Sequence, residues 1–134
     1  MIPIVAGVAT AAVLAVAANL TRFDRDKSFY PTLVIVIASY YLLFAVMDGS
    51  PKTIAIELMV VSTFALAAVY SGLRLPALAG WAILVHGIFD VAHGHVIDNA
   101  GVPVWWPAYC AAVDVPLGAW VIYLAGRETP ETAS

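Results

Sequence analysis

Charge is what this chain has least of: 11% of its 134 residues are Asp, Glu, Lys or Arg, where a soluble domain carries about a quarter. A water-soluble globular fold is excluded on that ground, because too few polar groups are present to face solvent on every side. The six basic residues are scattered and the net charge is −3, so the clustered basic face that a nucleic acid requires is missing. A single cysteine, Cys110, excludes an intrachain disulfide.

What fills the chain instead is apolar sequence. Hydrophobic residues make up 63%, and they lie in runs close to the roughly 20 residues that carry a helix across a bilayer. Five such runs are predicted, at 3–20, 29–47, 51–71, 75–93 and 107–124. The expected fold is therefore an all-α, polytopic membrane bundle of five helices, one domain over 1–126 followed by a polar tail at 127–134. In the first run Ala15-Val16-Ala17 has the small-x-small spacing of a signal-peptide cleavage site. The basic segment that normally precedes the apolar core of such a peptide is absent, and the run is read as a retained helix. Its Gly7, Ala11 and Ala15 form a small-residue stripe that admits a close neighbouring backbone, within the chain or in a homodimer. Asp48-Gly49-Ser50-Pro51 reads as a tight turn, with Ser50 as N-cap and Pro51 at the first helical position.

Arg22, Arg25 and Lys27 lie between the first and second runs, Arg74 between the third and fourth, and Arg127 after the fifth; only Lys52 falls on the other side. The positive-inside rule then sets the N-terminus outside and the C-terminus in the cytoplasm. Trp105 and Trp106 fall at the outer interface, as anchors or as the roof of a pocket.

Against this background six residues stand out: Glu57, His86, Asp90, His93, Cys110 and Asp114. Ionisable side chains at bilayer depth are costly, and each is a functional-site hypothesis. His86, Asp90 and His93 fall within an arc of about 60° on one helix, and Cys110 and Asp114 are one turn apart on the next. At about 1.5 Å of rise per residue, the six lie between the outer surface and the midplane. Gly94 is expected to end the fourth helix, leaving His95 and Asp98 to the outer loop. No lysine or arginine lies among the six, so their charge is balanced by protonated acids, by cationic histidines or by a metal ion.

His86, Asp90, His93 and Cys110 are the expected ligands of a divalent metal, Zn²⁺ first and iron or copper next. Glu57 or Asp114 is the expected general base. A hydrogen-bonded network without metal is the alternative. Haem is disfavoured because two axial histidines usually approach from opposite faces, and these share one stripe. Three functions fit: a metal-dependent enzyme acting on a lipid-like or small hydrophobic substrate, a metal or proton carrier, or a metal-free acid/base enzyme acting on an isoprenoid. In the last, Tyr40, Tyr41, Trp81 or Trp106 would stabilise a cation. The partners expected are membrane lipids and such a substrate. Toward the cytoplasm only Ser39, Ser62, Thr63 and tyrosines continue a polar route, which favours a one-sided pocket over a carrier.

His86-x3-Asp90-x2-His93, followed by Cys110-x3-Asp114 and preceded by Gly72-Leu73-Arg74, resembles a family of small polytopic bacterial membrane proteins of unknown function. In that family a second histidine often follows the position of His93 directly, where this chain has Gly94 and then His95. The resemblance implies a bacterial inner membrane and a polar site in the last spans, and it implies no reaction.

Overall fold

The computed structural model describes residues 1–127; of the polar tail expected at 127–134, Arg127 belongs to the last helix and the rest lies outside the described residues. Five α-helices follow one another: α1 (Ile2–Thr21), α2 (Phe29–Asp48), α3 (Pro51–Leu73), α4 (Ala77–Val96) and α5 (Trp106–Arg127). Each is long and apolar enough to cross a membrane, and no strand occurs among the described residues. The chain is thus built as a multi-pass membrane protein. Lipid offers no hydrogen bonds to a bare backbone, so only helices and closed barrels span it. Large apolar side chains such as Val13, Leu20, Met47, Leu66 and Val91 face outward; acyl chains are as apolar as leucine and impose no penalty on them.

The connections explain the up-and-down order. α1 ends on Arg22, which adopts a left-handed conformation (φ 63°), and a short 3-10 turn, Phe23–Arg25, leads to Asp26. The Asp26 carboxylate accepts from the Ser28 hydroxyl at 2.7 Å and its N–H at 2.8 Å; these bonds favour the anion and hold the carboxyl below the usual carboxylate range. Gly49 (φ 84°) ends α2, Ser50 accepts from the Thr53 N–H, and Pro51 starts α3. At the opposite end of the bundle Ser71 donates to the Pro76 carbonyl.

Helix α4 is the most enclosed, packing against α5, α3 and α2. Its approach to α5 is set by glycine: a Cβ on Gly118 would lie 2.6 Å from the Leu84 amide nitrogen, and one on Gly87 would lie 2.9 Å from the Asp114 Cβ. Both distances are shorter than side chains tolerate, so the two helices pack backbone to backbone, as small residues permit. We expect Gly118→Ala to force α4 and α5 apart at a cost of about 1–3 kcal/mol, read as a lower unfolding midpoint in detergent; an unchanged midpoint would show that the contact yields without strain.

The small-residue stripe of α1 finds its neighbour within the chain. A Cβ on Gly7 would sit 2.5 Å from the Tyr109 carbonyl oxygen and 2.6 Å from the Ala112 Cβ, so α5 takes up the stripe at Gly7; Ala11 is buried too, while Ala15 is half-buried. α1 packs chiefly on α5, and α2 chiefly on α3. Between α1 and α2 a cleft of about 670 Å³ remains.

The end of α4 departs from expectation. α4 continues through Gly94 and His95 to Val96, because the Ile97 N–H still reaches the His93 carbonyl at 2.8 Å. Glycine weakens a helix by only about 1 kcal/mol, less than leaving backbone groups unpaired. His95 nonetheless points away from the buried stripe and is exposed.

Candidate metal and proton-transfer site

Helical periodicity brings His86, Asp90 and His93 to one face of α4, and all three are buried to 2% exposure or less. The neighbouring helices then divide them. Asp114, from α5, places Oδ2 at 2.9 Å from His86 Nδ1, and Asp90 Oδ1 lies 3.6 Å from the same nitrogen. Glu57, from α3, places Oε1 at 2.7 Å from His93 Nε2. The stripe therefore serves two carboxylate–imidazole centres, where the sequence led us to expect one shared ligand.

His86, Asp90 and Asp114 can present ligand atoms that all lie within 4.8 Å of one another. In a tetrahedral or octahedral ion with bonds of about 2.0–2.2 Å, adjacent ligands are about 2.8–3.6 Å apart, and the two contacts to His86 Nδ1 fall at the ends of that range. His86 Nε2 and Asp90 Oδ2 are buried without a hydrogen-bond partner. An unsatisfied buried polar atom is costly, and here one is an acceptor that a cation would satisfy. This group could hold a divalent ion.

The second centre is closed differently. Asn99, from the loop before α5, donates through Nδ2 to Glu57 Oε1 at 2.9 Å and to the Tyr41 carbonyl at 3.0 Å. Its loop is fastened to α3, where Thr53 donates to the Asp98 carbonyl at 3.1 Å. Tyr41 joins the two centres. Its hydroxyl donates to Asp90 Oδ1 at 2.7 Å, and its ring stacks on the His93 imidazole at 3.8 Å between centroids. Phe64 and Phe89 close the remaining sides of the imidazoles.

Cys110 does not join the cluster of possible ligands. It lies one turn before Asp114, buried in the wall of the α1–α2 cleft. Asp114 borders the same cleft but is only 1% exposed, so it forms the back of that wall and links the cleft to the buried centre. Trp105 and Trp106 stand at one end of the cleft with Tyr40, whose ring lies 4.9 Å from that of Trp106.

Two partners escaped the sequence reading. Tyr41 was singled out only for cation stabilisation, and no apolar pattern marks it as the donor to Asp90. Asn99 is a neutral loop residue with no spacing signal. Compared with protein-family models, curated proteins and solved structures, the chain matches none.

Proposed function

We propose that this protein is a membrane-embedded, metal-dependent enzyme that acts on a lipid-like substrate taken up laterally through the α1–α2 cleft. The observation that carries the reading is the group His86, Asp90 and Asp114: three potential ligands from two helices, buried, within 4.8 Å, with no lysine or arginine beside them. A divalent cation neutralises two carboxylates that low dielectric would otherwise leave uncompensated. With one imidazole and two carboxylates, and Cys110 outside the group, the donor set is harder than expected from the sequence. Mn²⁺ and Fe²⁺ then stand beside Zn²⁺, and copper recedes. The ion would supply Lewis acidity at the back of the cleft. The Tyr41 hydroxyl orients Asp90, and the Glu57–His93 pair holds a proton acceptor on the far side of Tyr41. Asp114, expected as a base, is used here as a ligand.

A metal-free proton-transfer network is the second reading, supported by the pairing of each imidazole with a carboxylate at 2.7 or 2.9 Å. Elemental analysis of the purified protein decides between the two. One divalent ion per chain is expected; a protein that is folded, active and metal-free would sink the metalloenzyme. The carrier is disfavoured because the Ser39, Ser62 and Thr63 hydroxyls each bond a carbonyl of their own helix, which leaves tyrosines as the remaining polar route toward the cytoplasm among the described residues.

We place the protein in a bacterial plasma membrane with its C-terminus in the cytoplasm, on the side of Arg22, Arg25, Lys27, Arg74 and Arg127. A reporter inserted at 100–102 should then read extracytoplasmic and one fused after Arg127 cytoplasmic. The reverse pattern would put the metal group in the inner leaflet.

A further inference from the structure

We infer that the α1–α2 cleft binds a long-chain alcohol, with its hydroxyl at Trp106 and Tyr109 and its single tail running inward past Asp114. The inference rests on the enzymatic reading above and names the substrate class. At about 670 Å³ the cleft is in the range of ligand sites, about 300–1,000 Å³. Its inner part is apolar, with Leu14, Leu33, Val36, Ile37 and Val113 in its walls. Lysine, arginine and histidine are absent from the described lining, whereas Asp114 is present. A phosphate head would enter without a counter-charge and against a carboxylate, so a phospholipid is disfavoured and an uncharged head is admitted.

The outer part shows which uncharged head. Trp106 lines the cleft, and its indole N–H is buried without a hydrogen-bond partner, so an acceptor brought up to it would satisfy it. The Thr10 hydroxyl spends its only proton on the Ala6 carbonyl at 2.9 Å. Across the 3.1 Å contact between Thr10 and Tyr109, Tyr109 is therefore the donor, and its phenolic oxygen keeps lone-pair capacity to accept. The two rings are neighbours, 5.8 Å between centroids. A donor and an acceptor on neighbouring rings match a hydroxyl group, which both accepts and donates; a ketone or ester satisfies only the indole. Asp114 lies five residues beyond Tyr109, about 7.5 Å further along the helix. Carbons of the tail near the head, and not the hydroxyl itself, therefore come to rest against the metal group.

The test is tryptophan quenching in nanodiscs by a stearyl alcohol carrying a nitroxide near its hydroxyl end, with a phosphatidylcholine probe labelled at the same depth as comparison. We expect saturable quenching by the alcohol, displaced by unlabelled isoprenoid alcohol. The double variant Ala6→Phe/Val36→Phe, which fills the cleft from its two lipid-facing sides, should weaken it about tenfold or more. Equal quenching by the phospholipid probe, or alcohol binding untouched by the double variant, would overturn the inference. Metal content is measured on the same samples. Bound metal without alcohol binding refutes the substrate class and leaves the metal centre standing, whereas alcohol binding without metal refutes the metalloenzyme and leaves the cleft assignment standing.

Discussion

His86→Ala should abolish stoichiometric metal binding, while His93→Ala should leave it in place. The two histidines sit on the same stripe of α4, both nearly inaccessible, and the sequence treats them alike; only the helices they face distinguish them. His86 meets Asp114 and Asp90, and with the imidazole gone two carboxylates remain facing each other with one neutral ligand fewer. His93 is committed through Nε2 to Glu57, so its loss opens the second centre and spares the first. Tyr41→Phe should fall between them. It deletes the O–H that orients Asp90, and loss of such a partner typically lowers metal affinity by about 10–100-fold. Metal content by elemental analysis, with a chelator competition for affinity, reads all three. Equal loss from His86→Ala and His93→Ala would mean that the ion draws on the whole stripe and that the Glu57–His93 contact gives way to it.

The difference between these histidines marks how far the sequence could be read. Hydropathy located all five helices because each must be continuous and apolar to lie in lipid. The starts at Phe29 and Pro51 held and the other ends moved by one to three residues, outward everywhere except at the start of α4. Periodicity put His86, Asp90 and His93 on one face because 100° per residue is a property of any helix. Pairing across helices depends instead on how close and in what register α3 and α5 meet α4, and for α5 that is settled by Gly87 and Gly118, whose missing side chains let Asp114 reach His86. A signal for this was present in the glycines at 80 and 87 and the one four residues after Asp114, but glycine in a membrane helix has many uses, and its partner is not written beside it. Cys110 illustrates the same limit. It shares a helix face with Asp114 by spacing, yet one turn is enough to place it in the cleft wall and outside the ligand group. Asn99 was illegible for another reason: a loop has no period from which to infer direction.

Removing Glu57 and His93 together should destabilise the protein by well under the sum of the two single removals. Glu57 is 1% exposed and accepts from both His93 and Asn99 through Oε1. Glu57→Leu leaves an imidazole nitrogen and an amide N–H buried with nothing to accept from them, and breaking a buried pair in this way costs about 3–5 kcal/mol. Glu57→Leu/His93→Leu removes one of those orphaned groups and puts an apolar contact against the Tyr41 ring, so its cost should be well below the sum of the two single variants. Glu57→Gln keeps an acceptor oxygen for Asn99 and should cost less than Glu57→Leu. Reversible unfolding in mixed micelles measures each variant. Strictly additive single effects would show that the 2.7 Å contact carries no coupling and would remove the second centre from the mechanism. Metal content followed in parallel should stay constant across the whole series, since neither Glu57 nor His93 belongs to the group formed by His86, Asp90 and Asp114. Coupling in stability without any change in metal would establish the Glu57–His93 pair as a separate element beside the metal group, linked to it through Tyr41.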